Sequence, residues 1–231
     1  MFKQTIPLLT LAAFWVMLTG CTAPALSPAS TATPIPSFTT TPESPSTTTP
    51  SHATSTSAPP SLVCKLPTVV APTLPAMIPA YTELDQTTGL HMTGSYQVIN
   101  LQSYRLEVSG KVAHSLNLSF DELRCLPHIE VRCNLVCPGF FVDTATWAGA
   151  SLDALLDLAG VQSDATDIKM YSADGYSAAL LLKDARDGEN FLAYEWEGQP
   201  IPILHGFPVR AVFPDQEGNK WVKWLVRITV D

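Results

Sequence analysis

Cys137 stands where a strand stops and a loop starts. The stretch around it, VRCNLVCPGFFVDTATWAGASLDALLDLAGV over residues 131–161, opens as a β-branched, half-alternating run that reads as a strand. Pro138-Gly139 stops that strand, so Cys137 is rooted in a rigid element and faces the space beyond it. A thiol held this way suits a reactive or metal-binding thiolate. A second group lies in HGFPVR over residues 205–210 and KWVKW over 220–224. Gly and Pro fix a loop that presents Arg210 at the start of a strand, and Lys220 and Lys223 stand three residues apart among tryptophans. Lys and Arg are scarce from residue 81 onward, so their grouping here points to an anion. The planar fork of Arg suits phosphate. A zinc or iron–sulfur site from Cys125, Cys133 and Cys137 with His114 or His128 has little support. The spacing C-x7-C-x3-C matches no short chelating knuckle, and residues four apart on a strand stand roughly 13 Å apart.

The elements that would position these residues are short. A loop holding Phe140, Phe141 and Trp147 is expected after Cys137, then a helix capped by Ser151, with an apolar stripe of Leu152, Leu155, Leu156 and Leu158 and an end at Gly160. Upstream, residues 104–110 alternate as a half-buried strand and residues 116–118 form a second one. Ser119-Phe-Asp-Glu122 is a capping box that opens a helix to about Leu126. Residues 129–136 form the strand that feeds Cys137. Further on, 168–172 and 176–182 read as a hairpin around Asp174-Gly175, and 191–196 and 199–204 as another around Glu197-Gly198. Residues 209–213 and 221–230 read as strands joined by PDQEGN. Many short strands, few helices and no alternation of strand with helix predict an α+β, β-rich mixed single domain over residues 81–231.

Composition bounds the rest. The formal net charge of −8 argues against a nucleic-acid partner. Residues 1–21, with one Lys, an apolar run over 6–18 and Leu-Thr-Gly-Cys21, have the layout of a signal peptide ending in a lipobox. Lipid on Cys21 would tether the protein to the outer face of a bacterial membrane. Residues 22–61 are Ser, Thr, Pro and Ala with little else and predict a disordered stalk. Residues 62–80 are Pro-punctuated but more apolar and predict an irregular arm. In an oxidising compartment one disulfide among Cys64, Cys125 and Cys133 is expected, leaving Cys137 free.

LVCPGFF, then W-x-G-x-x-L-x-x-L-L-x-x-A-G, S-A-D-G-Y, L-A-Y-E-x-x-G-x-P-I-P-x-x-H-G-F-P-V-R and G-x-x-x-V-K-W-L together resemble the oxidoreductase molybdopterin-binding domain. This is the sulfite oxidase fold, shared with the catalytic subunit of the periplasmic methionine sulfoxide reductase. The resemblance covers about residues 104–230. It implies one molybdenum held by one molybdopterin and one protein thiolate, a soft ligand suited to a metal that changes oxidation state. Carried over, the metal-binding Cys falls on Cys137 rather than Cys133. The resemblance also implies that Arg210 and the segment Trp221, Val222 and Lys223 would meet the pterin phosphate, that His205 would stand beside the pterin and that Ser172 would bring a hydroxyl to it. Tyr176 and Asp174 are expected to be turn and core residues rather than catalytic ones.

Two features depart from the family pattern. The usual N-terminal cofactor contacts have no clear match, with His91 and Asn100 the only faint candidates. The arginine cluster that would hold a sulfite dianion is not evident, which favours a neutral, sulfoxide-like oxide as substrate. The implied activity is extracytoplasmic two-electron oxygen-atom transfer on a small oxide, with electrons exchanged with a membrane-bound or soluble partner. The alternative is a cofactor-free surface lipoprotein that uses the same fold as a binding module.

Overall fold

A computed structural model describes residues 62–231. Residues 1–61, on which the expected signal peptide, lipidated Cys21 and stalk fall, lie outside the described residues. In chain order the strands are β1 (Leu84–Asp85), β2 (Leu90–His91), β3 (Leu106–Gly110), β4 (Leu116–Leu118), β5 (His128–Cys137), β6 (Phe141–Ser151), β7 (Asp167–Ser172), β8 (Ser177–Leu181), β9 (Phe191–Trp196), β10 (Gln199–Pro200), β11 (Arg210–Val212) and β12 (Leu225–Val230). The helices are α1 (Phe120–Arg124), α2 (Leu152–Ala159) and α3 (Leu182–Ala185), with 3-10 turns at Ile203–His205 and Gly218–Lys220.

One sheet runs β10-β9-β6-β5, with β11 also paired to β9. The other runs β4-β3-β12-β7-β8, in which β12 is parallel to β3 and antiparallel to β7. In the second sheet, Leu106, Val108, Ile168, Met170, Ile228 and Val230 have no exposed surface and face the core. Their neighbours Glu107, Lys169, Tyr171 and Arg227 face outward, as period-two alternation requires. Leu152, Leu155 and Leu156 of α2 are fully buried in the same cluster, contributing about 1.5–3 kcal/mol each. Ser151 caps α2 by accepting the Ala154 N–H, and Gly160 ends it in the left-handed region. Ser119 and Glu122 complete the capping box of α1.

Three sequence expectations are corrected. Residues 141–147 are not a loop: only Pro138, Gly139 and Phe140 make a tight turn, and β6 pairs with β5 in unbroken register from Cys137↔Phe141 to His128↔Ala150. Phe141, Asp143, Ala145 and Trp147 point inward and Val142 and Thr144 outward, an alternation masked in the sequence because one inward residue is a carboxylate. Residues 221–224 are not strand, because Trp224 sits at φ 47° and bends the chain; β12 starts at Leu225. Residues 201–204 leave β10 for a 3-10 turn fixed by the bond from Trp224 Nε1 to the Ile203 carbonyl (2.8 Å).

Residues 62–80 carry no regular element. Their anchor is the Cys64–Cys125 disulfide, with Cys133 and Cys137 free, and Arg124 Nη1 donates to the Pro67 carbonyl. This arm continues into residues 81–95, which carry β1 and β2. Replacing both Cys64 and Cys125 by Ala is expected to lower stability by about 2–4 kcal/mol, read as a drop in the urea midpoint. An unchanged midpoint would mean that the arm is held without the bridge.

Candidate functional site

Cys137 ends β5 at the wall of a cleft of about 480 Å³, whose other walls include Thr93, Ser172, Tyr176, Trp221 and Lys223. Its backbone is fixed by the β5–β6 pairing and by the Phe140 N–H donating to its carbonyl (3.0 Å). Its Sγ lies against Gly218, where an added Cβ would come within 2.8 Å; a side chain there would displace the thiol. Burial pushes the Cys137 thiol up, and Asp143 pushes the same way, while Arg210 and Lys223 pull it down. The free thiol thus keeps its proton near neutral pH, and a metal ion would displace it. Cys133, packed against the core, is pushed up to about 11 by burial.

On the cleft wall and behind it lie three cationic or potentially cationic groups, Lys223, Arg210 and His205. Lys223 donates to the carbonyls of Thr93 (2.9 Å) and Leu204 (3.3 Å). Arg210, 2% exposed, donates from Nη1 to the His205 carbonyl (3.1 Å). Its guanidinium carbon lies 4.5 Å from the Trp147 ring centre and 5.5 Å from that of Trp221. Neither cation has a carboxylate within 4.0 Å among the described residues. Burial lowers Arg210 to about 10 and takes Lys223 well below its ordinary value. Arg210 Nε has no hydrogen-bond partner among the described residues. Gly206, at φ 116°, lets the HGFPVR loop approach Lys223, since a Cβ there would stand 3.3 Å from the Lys223 Cα.

His205 is buried, with Nε2 3.0 Å from both Asp85 Oδ2 and Thr88 Oγ1. Burial, then repulsion by Lys223, lowers it to about 3 despite the Asp85 carboxylate. Burial works against the Asp85 charge, but bonds from His205, Thr87 and Thr88 outweigh it and hold the carboxyl below its usual range. An ionised Asp85 can only accept, so neutral His205 carries its proton on Nε2. A second His–Asp contact lies on the face that carries Cys137. Asp143 accepts the His91 backbone N–H (2.7 Å) and contacts its Nδ1 (2.6 Å), and the His91 ring stacks on Phe141 at 4.2 Å.

The sequence-selected residues therefore gather as follows. Cys137, Ser172, Trp221 and Lys223 line the cleft, and Arg210 and His205 stand behind Lys223. Val222 lines neither cavity: its side chain is in the core and its carbonyl accepts the Ala211 N–H. Tyr176 is not a core residue but a half-exposed wall of the cleft, its hydroxyl donating to the Asn219 carbonyl (2.6 Å). Asp174 sits in the hairpin turn, accepting the Tyr176 N–H, and also lines the cleft. Of the two faint N-terminal candidates, His91 reaches the site, whereas Asn100 sits in a surface turn, accepting the Gln102 N–H and the Ser103 hydroxyl. Sequence reasoning missed Asp85, Thr93, Asp143 and Gly218. Asp143 alone had a signal, a carboxylate at an inward position of an alternating run. Cys125 is taken by the disulfide, which removes it from any cysteine-based metal site.

The model of the oxidoreductase molybdopterin-binding domain matches residues 93–231. The chain belongs to this family. Mitochondrial sulfite oxidase of Homo sapiens is 36% identical over 158 residues, covering 55% of this chain and 29% of the relative. An uncharacterized oxidoreductase, YuiH, of Bacillus subtilis is 31% identical over 127 residues, covering 54% and 64%. The putative protein-methionine-sulfoxide reductase subunit YedZ1 of Azospira oryzae is 28% identical over 132 residues, covering 57% and 50%. Among solved structures, the sulfane dehydrogenase SoxCD of Paracoccus pantotrophus aligns with a TM-score of 0.56 at 25% identity, covering 59% of this chain and 40% of that one. The fold is of the sulfite oxidase type, and the match spans under a third of the sulfite oxidase chain.

Because His205 is depressed in the folded state, the unfolded chain takes up its proton first as pH falls. Its contribution is complete above about pH 6.5 and is lost down to about pH 3, at up to about 1.4 kcal/mol per pH unit. Asp85 adds to the loss in the lower part of that window. Thermal melting of the wild type is expected to fall with acid, and His205→Asn to show a shallower slope. Equal slopes would mean that His205 is not held neutral.

Proposed function

We propose that this protein is an extracytoplasmic molybdenum–molybdopterin oxidoreductase that transfers an oxygen atom to or from a small neutral oxide. The observation that carries this reading is one cleft lined by the Cys137 thiol and Lys223, with buried Arg210 behind the lysine and neither cation within 4.0 Å of a carboxylate among the described residues. Two buried cations without a carboxylate cost several kcal/mol each to desolvate, so the site is built for an anion that brings its own charge. The orphaned Arg210 Nε is a donor still waiting for an acceptor. These features fit the terminal phosphate of molybdopterin.

Cys137 would hold the molybdenum, Lys223 and Arg210 the phosphate, and Ser172, Trp221 and His205 the flanks of the pterin. When bound, the cofactor supplies two-electron redox chemistry coupled to movement of an oxygen atom. The chain's own part is to fix and orient. The β5–β6 register holds the thiolate, His205 stays neutral so that it adds no third positive charge, and the rings of Trp147 and Trp221 keep water from the Arg210 guanidinium. At the mouth, Tyr81, Pro138 and Phe140 present apolar and aromatic surface, and no arginine lines the cleft. That supports a neutral, sulfoxide-like oxide over the sulfite dianion.

Electrons would be exchanged with a separate protein. The signal and lipobox pattern of residues 1–21 supports a lipid anchor on Cys21 at the outer face of the membrane, and the Cys64–Cys125 disulfide is in keeping with an oxidising compartment.

Elemental analysis tests the cofactor assignment. The full chain from a molybdopterin-competent host is expected to carry about one molybdenum per chain. Cys137→Ala should lose the metal, and Arg210→Met should lose the pterin, both with the fold retained by circular dichroism. Metal-free wild type from such a host would sink the enzyme reading in favour of a cofactor-free binding module.

A further inference from the structure

The outer face of the β4-β3-β12-β7-β8 sheet carries charge that the cleft does not use. Apart from the buried pair, five described Lys and Arg side chains have no carboxylate within 4.0 Å: Lys65, Arg105, Lys169, Lys220 and Arg227. Four of the five lie on or beside this one face. Arg227 on β12 and Lys169 on β7 approach the ring of Tyr171 at 4.1 Å and 5.2 Å. Arg105 enters β3 next to them. The Lys220 ammonium bonds the carbonyl of Ala179 (2.9 Å), which is the register partner of Lys169. The cations thus form a row across four neighbouring strands, on a chain whose formal charge is −8.

The row borders a groove of about 440 Å³ lined by Arg105, Glu107, Tyr171, Ser172, Tyr176 and Arg227. Glu107 is the one carboxylate in that lining. Ser172 and Tyr176 line the Cys137 cleft as well, so the two concavities stand back to back across those residues. A protein seated in the groove would lie one layer of side chains from the cleft, a short path for electrons.

Building on the oxidoreductase reading, we propose that this face is the docking surface for an acidic electron-transfer protein, whose carboxylates meet Arg105, Arg227, Lys169 and Lys220. Charge complementarity selects this partner. A row of unpaired cations on an otherwise acidic molecule repels nothing acidic at that one place, and so steers and orients an acidic protein there. A concave groove with an aromatic floor fits a protein protrusion better than a flat lipid surface.

Reduced flavodoxin, an acidic one-electron carrier, serves as the probe, with the full chain loaded in a molybdopterin-competent host. Calorimetric titration is expected to show binding that weakens with salt. Arg105→Glu/Arg227→Glu should weaken it by about tenfold or more and flatten the salt dependence. The milder Arg105→Gln/Arg227→Gln pair should move the same way if charge reversal harms folding. Molybdenum content and reduction by dithionite should be unchanged in both variants. The proposal is overturned if wild type does not bind flavodoxin at low salt or if the variants bind like wild type. It is also overturned if the substitutions abolish binding only to phosphatidylglycerol vesicles. Missing molybdenum would instead count against the enzyme reading, since flavodoxin affinity reports the patch whether or not the metal is present.

Discussion

Two buried cations with no carboxylate within 4.0 Å among the described residues govern the arrangement of this domain. Lys223 and Arg210 are satisfied only by backbone carbonyls and aromatic faces. Such a pair persists only where the surrounding structure holds it, because each ion has lost its water and Asp143, the nearest attractive charge, acts on them without an ion pair. Much of the local architecture reads as that support. Gly206 brings the HGFPVR loop against Lys223, the bend at Trp224 turns the lysine inward, and the Thr93 carbonyl arrives from the N-terminal segment to take one ammonium proton. A site so constructed is prepaid for an anion.

The same positive field explains the state of its neighbours. His205 would be a third cation if it titrated normally, and burial with repulsion from Lys223 keeps it neutral. Asp85 uses that neutral ring as a donor, which ties residues 81–95 to the core. Asp143 faces the thiol from across the strand pair and is bound by His91 rather than by Arg210. Carboxylate and cation thus remain separate, leaving the guanidinium donors for a ligand. On the opposite wall, Ser172 and Tyr176 separate the cleft from a second, exposed cationic surface, where water rather than a ligand offsets the charge.

Family membership rests on the match over residues 93–231, whereas the candidate site rests on side-chain geometry. The family match begins at residue 93, so the hairpin of β1 and β2, with the Asp85 and His91 contacts, lies outside it. The segment that closes over His205 and Asp143 thus precedes the matched residues, and it is tethered upstream by the Cys64–Cys125 disulfide.

By itself the sequence determined the local elements and the identity of the reactive groups. The capping box at Ser119, the Ser151 cap, the Gly160 stop and the turn at Pro138-Gly139 depend on residues within a few positions of one another, so they are legible in order along the chain. Cys137 and the HGFPVR and KWVKW runs stood out for the same reason. Tertiary structure alone decided which distant groups meet. Asp85 finds His205 across 120 residues and Thr93 finds Lys223 across 130, and no local pattern encodes such partners. It also turned 141–151 into a strand, since pairing with β5 outweighs the interrupted apolar alternation. It sent Val222 into the core while turning Lys223 toward the cleft, because the left-handed residue at Trp224 breaks the extended path. Side-chain chemistry is a property of residues, whereas burial, register and electrostatic company are properties of the folded chain.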